Sequence, residues 1–588
     1  MDWHSSCPVD YHVAWSSGKG TRHMLGISGW DWAALAVYFV VTVVIGLWTV
    51  RKVKDTTDFF MAGRRFGKPF MIFFAFGAGT SGNDAVGVSA KTYTNGLSGI
   101  WYQWLWLFCT PFYWLIAPVM RRMRALTTGD YFEHRYDGSV AALYSVVGIA
   151  QLTVNIGIIQ LGAGSMIEGI TGGAIDRNVA IVGMTVMFLA YGIAGGLAAA
   201  IVTDFIQGIL TIILSFILLP FALDAVGGFT GLHTEIQDDS MFSLVAPGEI
   251  NGFWIFMLGL NALIGIVTQP HIMGVCAAGR TEMDGRVGFA CGNLIKRLCT
   301  VAWTVVGLCA VVMYMNQDID PDVIYGQAAK DLLPSVMPGL VGVFIAALIA
   351  SVMSSCDAFM VSCSGLFTQN IYRRWIRRDE SEGHYVGVGR ITALVVVAGG
   401  LSFAFLVGSV PEGLMLFFKM QALMGAAFWL GLFWRRATVA GAWAATLSAF
   451  AILLVTSLDA FQEWAVANLP EIMIWNGEFR DSWQIFFYLI GGFGMGIAVS
   501  LVSKRVPEEK LERVYRCLRT PVHEAEPHQP EPFMLPEGLE VPAPRKLINH
   551  PDLEIPMPTR VGMYGFATFW AIVGILIAFV YWMATWGA

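Results

Sequence analysis

Four oxygen-bearing side chains interrupt an apolar stretch in the second half of this sequence. In the segment ALIASVMSSCDAF, Ser351, Ser354, Ser355 and Asp357 would lie within two turns of a single helix. Hydroxyl and carboxylate oxygens are costly in hydrocarbon unless another group satisfies them. The spacing therefore predicts a buried site for a cation.

Two other apolar stretches are interrupted by small and polar residues. One contains GAGTSGND, from Gly77 to Asp84, and the other contains GLNALIGIVTQPH, from Gly259 to His271. The second lies five predicted spans after the first, so the two would cross a membrane in opposite directions, as in an inverted repeat of two five-helix units. Glycine-mediated helix packing is the alternative for either segment alone, but the matched pair favours unwound helices that expose carbonyl groups.

The composition indicates a helical membrane protein. Hydrophobic residues make up 56% of the chain and charged residues 14%, and apolar runs of membrane length recur throughout. We predict an all-α polytopic membrane protein with about 14 transmembrane helices, among them spans at 179–197 and 203–224.

Neither the charge pattern nor the motifs favour an enzyme. The net charge of −6 is spread over the loops, and the sequence shows no basic stripe for nucleic acid. It contains no G-x-S-x-G, H-E-x-x-H or G-x-x-x-x-G-K-[ST] motif. We therefore predict that the protein is not an enzyme and that ATP hydrolysis on this chain does not drive it.

Basic residues are concentrated on alternate loops. Clusters such as Arg121 with Arg122 and Arg373 with Arg374 lie on one set, whereas the long loops of the other set contain only Lys330 and Arg480. By the positive-inside bias the arginine-rich loops are cytoplasmic. This predicts a multi-pass protein of the plasma or inner membrane with both termini extracytoplasmic.

A hydrophilic stretch that carries eleven of the 23 prolines precedes the last span. We expect it to be an extended cytoplasmic linker, helical only near Pro507 to Leu518. The predicted segments are an extracytoplasmic N-terminal segment (1–30), a first transmembrane helix with its cytoplasmic loop (31–69), a first five-helix repeat (70–224), a second five-helix repeat (251–433), accessory transmembrane helices (434–505), the proline-rich linker (506–560) and a last transmembrane helix (561–588).

Several motifs resemble those of the sodium/solute symporters, a family that takes up sugars, amino acids, carboxylates, vitamins and iodide. The resemblance runs from about Trp32 to Lys504 and includes the Ser/Asp helix described above. The other motifs are DFFMAGRRFGKP, TTGDYFEHRY, YGIAGGLAAAIVTDFIQG and TQPHIMGVCAAGRTEMDGR. The resemblance implies the LeuT architecture, with a core of two inverted five-helix repeats, and Na+ as the co-transported ion.

By position in these motifs, the resemblance implies a main sodium site between the second and ninth spans. Its ligands would be the backbone carbonyls of Gly77, Thr80 and Ser351 and the hydroxyls of Ser354 and Ser355. Sodium is a hard cation that prefers oxygen ligands, so these residue types fit. The alternative for the two hydroxyls is a hydrogen bond back to their own helical turn.

Two carboxylates are expected near this site. The resemblance places Asp204 on the ion path, where it would serve a second sodium site or an exit relay; capping of a helix N-terminus by Thr203 or Asp204 is the alternative. Asp357, three residues after Ser354, would either face the same cavity or pair with a basic residue elsewhere in the bundle.

The resemblance implies substrate contacts at Asp84, Gln103, Thr268 and Lys296. Asp84 and Lys296 are charged, so they would either hold a zwitterionic or carboxylate-bearing solute between them or neutralise each other and join two helices.

Two further groups of polar and aromatic residues lie on other predicted spans. Lys419 and Gln421 are further pore candidates. The cluster of Trp101, Trp104 and Trp106 is more typical of an interfacial aromatic belt than of a sugar-binding platform.

Taken together, the residues and the resemblance predict sodium-coupled symport of a small organic solute into the cell by alternating access. The solute would be an amino acid, a sugar or a carboxylate. The alternatives are a proton-coupled symporter of the same fold, with Asp84 or Asp357 as the titrating group, and a transporter-like solute sensor. The expected partners are this solute and the lipid bilayer, with neither nucleic acid nor an obligate protein partner.

Overall fold

The computed structural model describes residues 27–50, 64, 66–246, 248–523, 526, 529 and 531–587. Most of the predicted N-terminal segment and the predicted cytoplasmic loop at 51–63 lie outside the described residues.

The chain is about 75% helical. In chain order the α-helices are α1 (Gly29–Val50), α2 (Lys68–Ala78), α3 (Gly82–Asn95), α4 (Trp101–Trp104), α5 (Thr110–Arg122), α6 (Thr128–Arg135), α7 (Gly138–Thr171), α8 (Arg177–Phe216), α9 (Leu219–Ala225), α10 (Gly228–Glu235), α11 (Gly252–Gly265), α12 (His271–Ala277), α13 (Glu282–Met313), α14 (Ile324–Leu332), α15 (Leu340–Gly365), α16 (Glu382–Ala404), α17 (Val410–Met420), α18 (Gly425–Phe433), α19 (Val439–Thr456), α20 (Asp459–Asn468), α21 (Asp481–Val502), α22 (Glu508–Arg519) and α23 (Arg560–Ala584). A π-helical segment, Leu366–Ile376, extends α15, and the strands β1 (Ile474–Trp475) and β2 (Glu478–Phe479) form a short antiparallel hairpin.

The helices are those of a multi-pass membrane protein. Within the described ranges, nine helices are long and apolar enough to cross a membrane, and α11 and α12 together form a further span that is bent by 72°. The structure therefore confirms the predicted helical membrane class.

The structure confirms the second of two predicted spans, as an apolar span at Ile201–Ala225, but shows no break in the helix before it. The sequence predicted two spans, at 179–197 and 203–224, but the structure has a single helix, α8, across the predicted break. Its 40 residues correspond to about 60 Å, roughly twice the thickness of the hydrocarbon layer. The segment AGGLAAA contains no proline to remove a backbone hydrogen bond, so the helical ladder can continue through it.

Both predicted helix interruptions are present. Between α2 and α3 the chain leaves the helical conformation at Gly79 to Ser81, and Asp84 accepts a hydrogen bond from the Ser81 amide at 3.0 Å in a capping box that starts α3. The second interruption separates α11 from α12 at Pro270, a residue that cannot donate a backbone hydrogen bond.

Glycines hold α2 close to α13. A Cβ atom on Gly292 would lie 2.5 Å from the carbonyl oxygen of Ile72 and 2.9 Å from the Cβ of Ala75. One turn earlier, a Cβ on Gly288 would lie 2.6 Å from that of Met71. The spacing of four residues is the small-residue pattern that lets membrane helices approach closely, and here it positions the helix that leads into the first interruption.

The connection between α13 and α15 contains α14, which packs on the end of α7. Asp322, in this connection, accepts a hydrogen bond from the Val410 amide at the start of α17 at 2.8 Å. Arg177 pairs with Asp320 and Glu168 nearby. Burial raises the pKa of Asp322 to about 6.

This pKa predicts a pH-dependent stability. The pKa of Asp322 in the folded protein lies above its value of about 4 in an unfolded chain. The contribution of this carboxyl group to the free energy of unfolding is therefore complete below pH 4 and is lost as the pH rises through 6. We expect wild-type protein to lose roughly 2–3 kcal/mol from this group between pH 4 and pH 7.5 relative to Asp322→Asn. Thermal unfolding of both proteins across this range measures the difference; parallel curves would contradict the prediction.

The proline-rich segment is attached to the bundle at both of its ends, and most of residues 536–551 between these attachments are exposed and not helical. We call residues 506–559 the strap. Its helix α22 agrees with the predicted helical portion, and Phe533 is buried, with its amide donating to the Met123 carbonyl at 3.0 Å. Arg435, after α18, pairs with Glu512 and Glu554 at 3.0 and 2.6 Å. Ion pairs and a few aromatic anchors thus hold the two ends of this segment.

Candidate functional site

The interruption between α2 and α3 faces the serines of α15. Ser355 donates a hydrogen bond from its hydroxyl to the carbonyl oxygen of Gly77 at 2.9 Å and to that of Thr80 at 3.3 Å. Residues 79–81 are not helical, so carbonyls next to the interruption are available to a partner outside their own helix. The structure thus brings together three of the five predicted sodium ligands.

The other two predicted ligands also lie in this region. Ser354 donates to Asp204 Oδ1 at 2.5 Å, and Gly77 is so close that an added Cβ would clash with the Ser354 hydroxyl. Ser351 lies one turn before Ser355 on α15, and its hydroxyl donates to Leu348 and accepts from the Gly82 amide. Its hydroxyl therefore links α15 to the start of α3.

Asp204 lies in the interior of α8, and the side chain that caps this helix is that of Asp176. N-terminal capping by Thr203 or Asp204 is therefore excluded. The Asp204 carboxylate is fully buried, and its Oδ2 has no hydrogen-bond partner among the described residues. A buried carboxylate with a free oxygen beside two serines fits a cation ligand.

Of the two alternatives for Asp357, a position facing the ion site or an ion pair with a basic residue, the structure does not support the ion pair. The side chain of Asp357 is buried, its Oδ1 has no hydrogen-bond partner, and no basic group of the described chain lies within ion-pairing distance. It does not line the cavity described below, and it lies two residues after Ser355 on the same helix. Two buried acids therefore lie near the serines.

A cavity of about 60 Å³ lies between the two interrupted helices. Ser355 lines it on the side of the serine cluster. Three charged side chains, Asp84, Lys296 and Arg297, also line it, and apolar side chains such as Ile272 and Phe359 form much of the remaining wall. The cavity is thus adjacent to the candidate ion site and combines charged and apolar surfaces.

Asp84 and Lys296 pair with each other across α3 and α13. Lys296 Nζ lies 2.9 Å from Asp84 Oδ2 and also contacts the carbonyl of Gly79, and Gln103 donates to Asp84 Oδ1 at 2.6 Å. Both charged side chains are about nine-tenths buried. Of the two readings left open by the sequence, this geometry matches direct neutralisation.

Three further candidates are placed outside the cavity lining. Thr268 donates its hydroxyl to the carbonyls of Gly265 and Gln421 at 2.9 and 2.8 Å, which joins the α11–α12 interruption to the end of α17. Gln421 accepts a side-chain hydrogen bond from Gln269. Lys419 forms an ion pair with Asp481 at 2.6 Å.

The sequence analysis missed several lining residues. Gln269 and His271 lie next to the second interruption, and both line the cavity, as does Asn155 of α7. The TQPH segment was a recognisable signal, because polar residues beside a proline-interrupted span commonly face a site. The residue chosen from it, Thr268, is turned towards backbone carbonyls instead.

The tryptophan cluster is not an interfacial belt. Trp101, Trp104 and Trp106 are all buried, and Trp106 lines the cavity. Two of the buried indole N–H groups have hydrogen-bond partners. That of Trp101 donates to the backbone carbonyl of Leu244 at 2.7 Å, and that of Trp104 donates to the backbone carbonyl of Arg297 at 3.1 Å. The interfacial expectation is therefore wrong for this cluster.

Comparisons with known proteins agree with this architecture. The sodium/glucose cotransporter of Vibrio parahaemolyticus is 25% identical over 461 residues, covering 71% of this chain and 83% of that protein. The high-affinity proline transporter PutP of Bacillus subtilis is 26% identical over 455 residues, covering 73% and 91%. A solved outward-open Na+-coupled sialic acid symporter shares the fold, with a TM-score of 0.68 at 19% identity and coverage of 82% and 99%.

The model of the sodium:solute symporter family matches residues 59–448, about two thirds of the sequence. Membership excludes the enzyme class, as predicted, and identifies sodium as the co-transported ion. The chain belongs to the sodium:solute symporter family.

Proposed function

We propose that this protein imports a small organic solute across the cell membrane by sodium-coupled symport. In this proposal it has about 14 transmembrane helices around a LeuT-type core of two inverted five-helix repeats, at 70–224 and 251–433, with both termini extracytoplasmic. Family membership and the two interrupted helices support this arrangement. They do not favour the proton-coupled or sensor alternatives.

The observation that carries the proposal is the convergence of oxygens between α2, α8 and α15. Sodium would bind the carbonyls of Gly77, Thr80 and Ser351 and the hydroxyls of Ser354 and Ser355. Bringing a cation to this place would replace the contacts that Ser355 now makes with two carbonyls. A cation bound there would favour the ionised forms of the buried Asp204 and Asp357 carboxyl groups nearby, because opposite charges attract strongly where the dielectric constant is low.

Sodium and solute binding would be coupled through shared walls. Because Ser355 lines the solute cavity and also contacts the α2–α3 interruption, an ion held there would fix one side of the cavity before the solute binds. Rocking of one helix bundle against the other would then expose both ligands to the cytoplasm. Each sodium ion moving inward across about 100 mV contributes roughly 2.3 kcal/mol, enough for about 50-fold accumulation of solute.

The test is stabilisation of the purified protein by sodium. We expect NaCl, but not KCl, to raise the thermal unfolding temperature of the wild type. The variant Ser354→Ala/Ser355→Ala should bind sodium about ten-fold more weakly or worse, because two oxygen ligands are lost. Titration of unfolding temperature against sodium concentration measures this loss.

Ser362→Ala is the matched control, because Ser362 is on the same helix and only donates back to Ala358 at 2.7 Å. It should retain the sodium response. Equal responses to sodium and potassium in the wild type, or an unchanged response in the double variant, would refute the proposed site.

A further inference from the structure

The charges that line the cavity do not cancel. Asp84 is the one carboxylate in its described lining, whereas two cationic side chains, Lys296 and Arg297, line it. Since Lys296 is paired with Asp84, no carboxylate of the described lining is left to neutralise the guanidinium of Arg297. The cavity therefore carries an excess of one positive charge, apart from any charge on His271.

Arg297 is not neutralised elsewhere. Its side chain is 1% exposed, and none of the described carboxylates lies within 4.0 Å of it. It donates to the Gln103 carbonyl at 2.8 Å, and its Nε has no hydrogen-bond partner. Burying an arginine in a membrane interior without an anion costs free energy, because the guanidinium loses its hydration. An anion in the cavity would offset part of this cost.

Neutral polar groups without partners lie beside this charge. Asn83 Oδ1, Trp106 Nε1 and His271 Nδ1 are buried atoms of lining residues, and none of them has a hydrogen-bond partner in the described structure. Buried polar atoms are normally paired, so these atoms indicate a ligand with its own polar groups. The indole N–H is a donor and suits an oxygen of an anion.

One wall of the cavity is apolar. The apolar wall formed by Ile272, Val275 and Phe359 suits a hydrocarbon chain.

A free amino acid matches the excess positive charge of the cavity lining less well than a monocarboxylate does. A zwitterion adds no net charge and would leave the excess on Arg297. Its ammonium group would also need a carboxylate, and both oxygens of Asp84 are already engaged by Gln103, Lys296 and the Ser81 amide.

We propose that the transported solute is a monocarboxylate whose carboxylate is held by Arg297, with its apolar part against the α12 wall. This inference rests on the proposed symport function and names its substrate class. Arg297 would form charge-assisted hydrogen bonds with the carboxylate, which are the stronger kind in a partly dehydrated site.

The test measures thermal stabilisation of the full-length purified protein by acetate, lactate, pyruvate, proline and glucose, each in NaCl and in KCl. We expect stabilisation by at least one monocarboxylate that requires sodium. Uptake of the same radiolabelled compound by proteoliposomes with an inward sodium gradient should follow.

Variants of Arg297 test whether this residue binds the carboxylate of the solute. Arg297→Gln should weaken the apparent affinity for the monocarboxylate about ten-fold or more, and Arg297→Lys should weaken it less because the charge is kept. Arg378→Gln, on an exposed loop, is the control and should behave as the wild type. The sodium-induced rise in unfolding temperature shows whether each variant is folded. If Arg297→Gln does not fold, the affinity of Arg297→Lys decides the outcome.

The two proposals fail differently. Sodium-dependent stabilisation by proline or glucose alone, or a monocarboxylate affinity that is the same in wild type and in folded Arg297 variants, would overturn the inference and leave symport standing. A wild type that responds to neither sodium nor any solute would contradict the symport proposal itself.

Discussion

Replacing Lys296 by methionine is expected to destabilise the folded protein by about 3–5 kcal/mol. Lys296 and Asp84 are paired at 2.9 Å and about nine-tenths buried, so removing the ammonium leaves a carboxylate without its cation. Gln103 and the Ser81 amide would still contact Asp84, but neither carries a neutralising charge. Thermal or denaturant unfolding in a defined detergent measures the loss.

The double variant Asp84→Asn/Lys296→Met is the matched control for this prediction. It removes both charges together, so most of the stability should return, since the cost of a broken buried pair comes mainly from the remaining charge. Asp84→Asn alone should resemble Lys296→Met, because it leaves the ammonium without a carboxylate. If either single variant were as stable as the wild type, the pair would not be a structural bond between α3 and α13.

Gly292→Val is expected to abolish sodium-dependent stabilisation. The new side chain would overlap the carbonyl of Ile72 and the methyl of Ala75, and neither of these atoms can rotate away. α2 would have to move away from α13. Because α2 contains Gly77, whose carbonyl contacts Ser355, this movement would disturb the candidate sodium site. Overpacking of this kind costs about 1–3 kcal/mol and often more when backbone must shift.

The matched control is Gly574→Val in α23, where an added Cβ would meet nothing within 4 Å. It should keep both stability and the sodium response. Gly292→Ala should be intermediate, because its single methyl already lies within 2.5 Å of the Ile72 oxygen. A sodium response in Gly292→Val equal to that of the wild type would contradict the role of this close packing.

Some parts of the fold follow directly from the sequence. Polar and small residues in membrane-length apolar runs predicted the interruptions at Gly79 to Ser81 and at Pro270, because each removes or exposes backbone hydrogen bonds locally. The position of Ser355 beside Gly77 came from the family resemblance. The second span begins near residue 201 as predicted, but no end of a helix marks it, because a run of alanine and glycine is compatible with both a turn and a continuous helix.

The composition of the solute cavity could not be obtained in this way. Which of Thr268, Gln269 and His271 faces inward depends on the path of the chain through the 72° bend between α11 and α12, and helical periodicity does not extend across such a bend. Arg297 could not be assigned to the cavity from its position next to Lys296, because neighbours on a helix point about 100° apart. The attachments of the strap could not be predicted because ion pairs between residues over a hundred positions apart leave no local pattern.

The strap has a consequence for the covalent continuity of the chain. Before its exposed middle portion, α22 and Phe533 are anchored against the bundle; after it, Glu554 pairs with Arg435, and the Trp114 indole of α5 donates to the Val561 carbonyl at the start of α23. Each side therefore has its own non-covalent attachment. A backbone cleavage within residues 537–545 would leave two fragments that remain bound as one particle, so the final helix is held in place by its contacts and not by the peptide chain that leads to it.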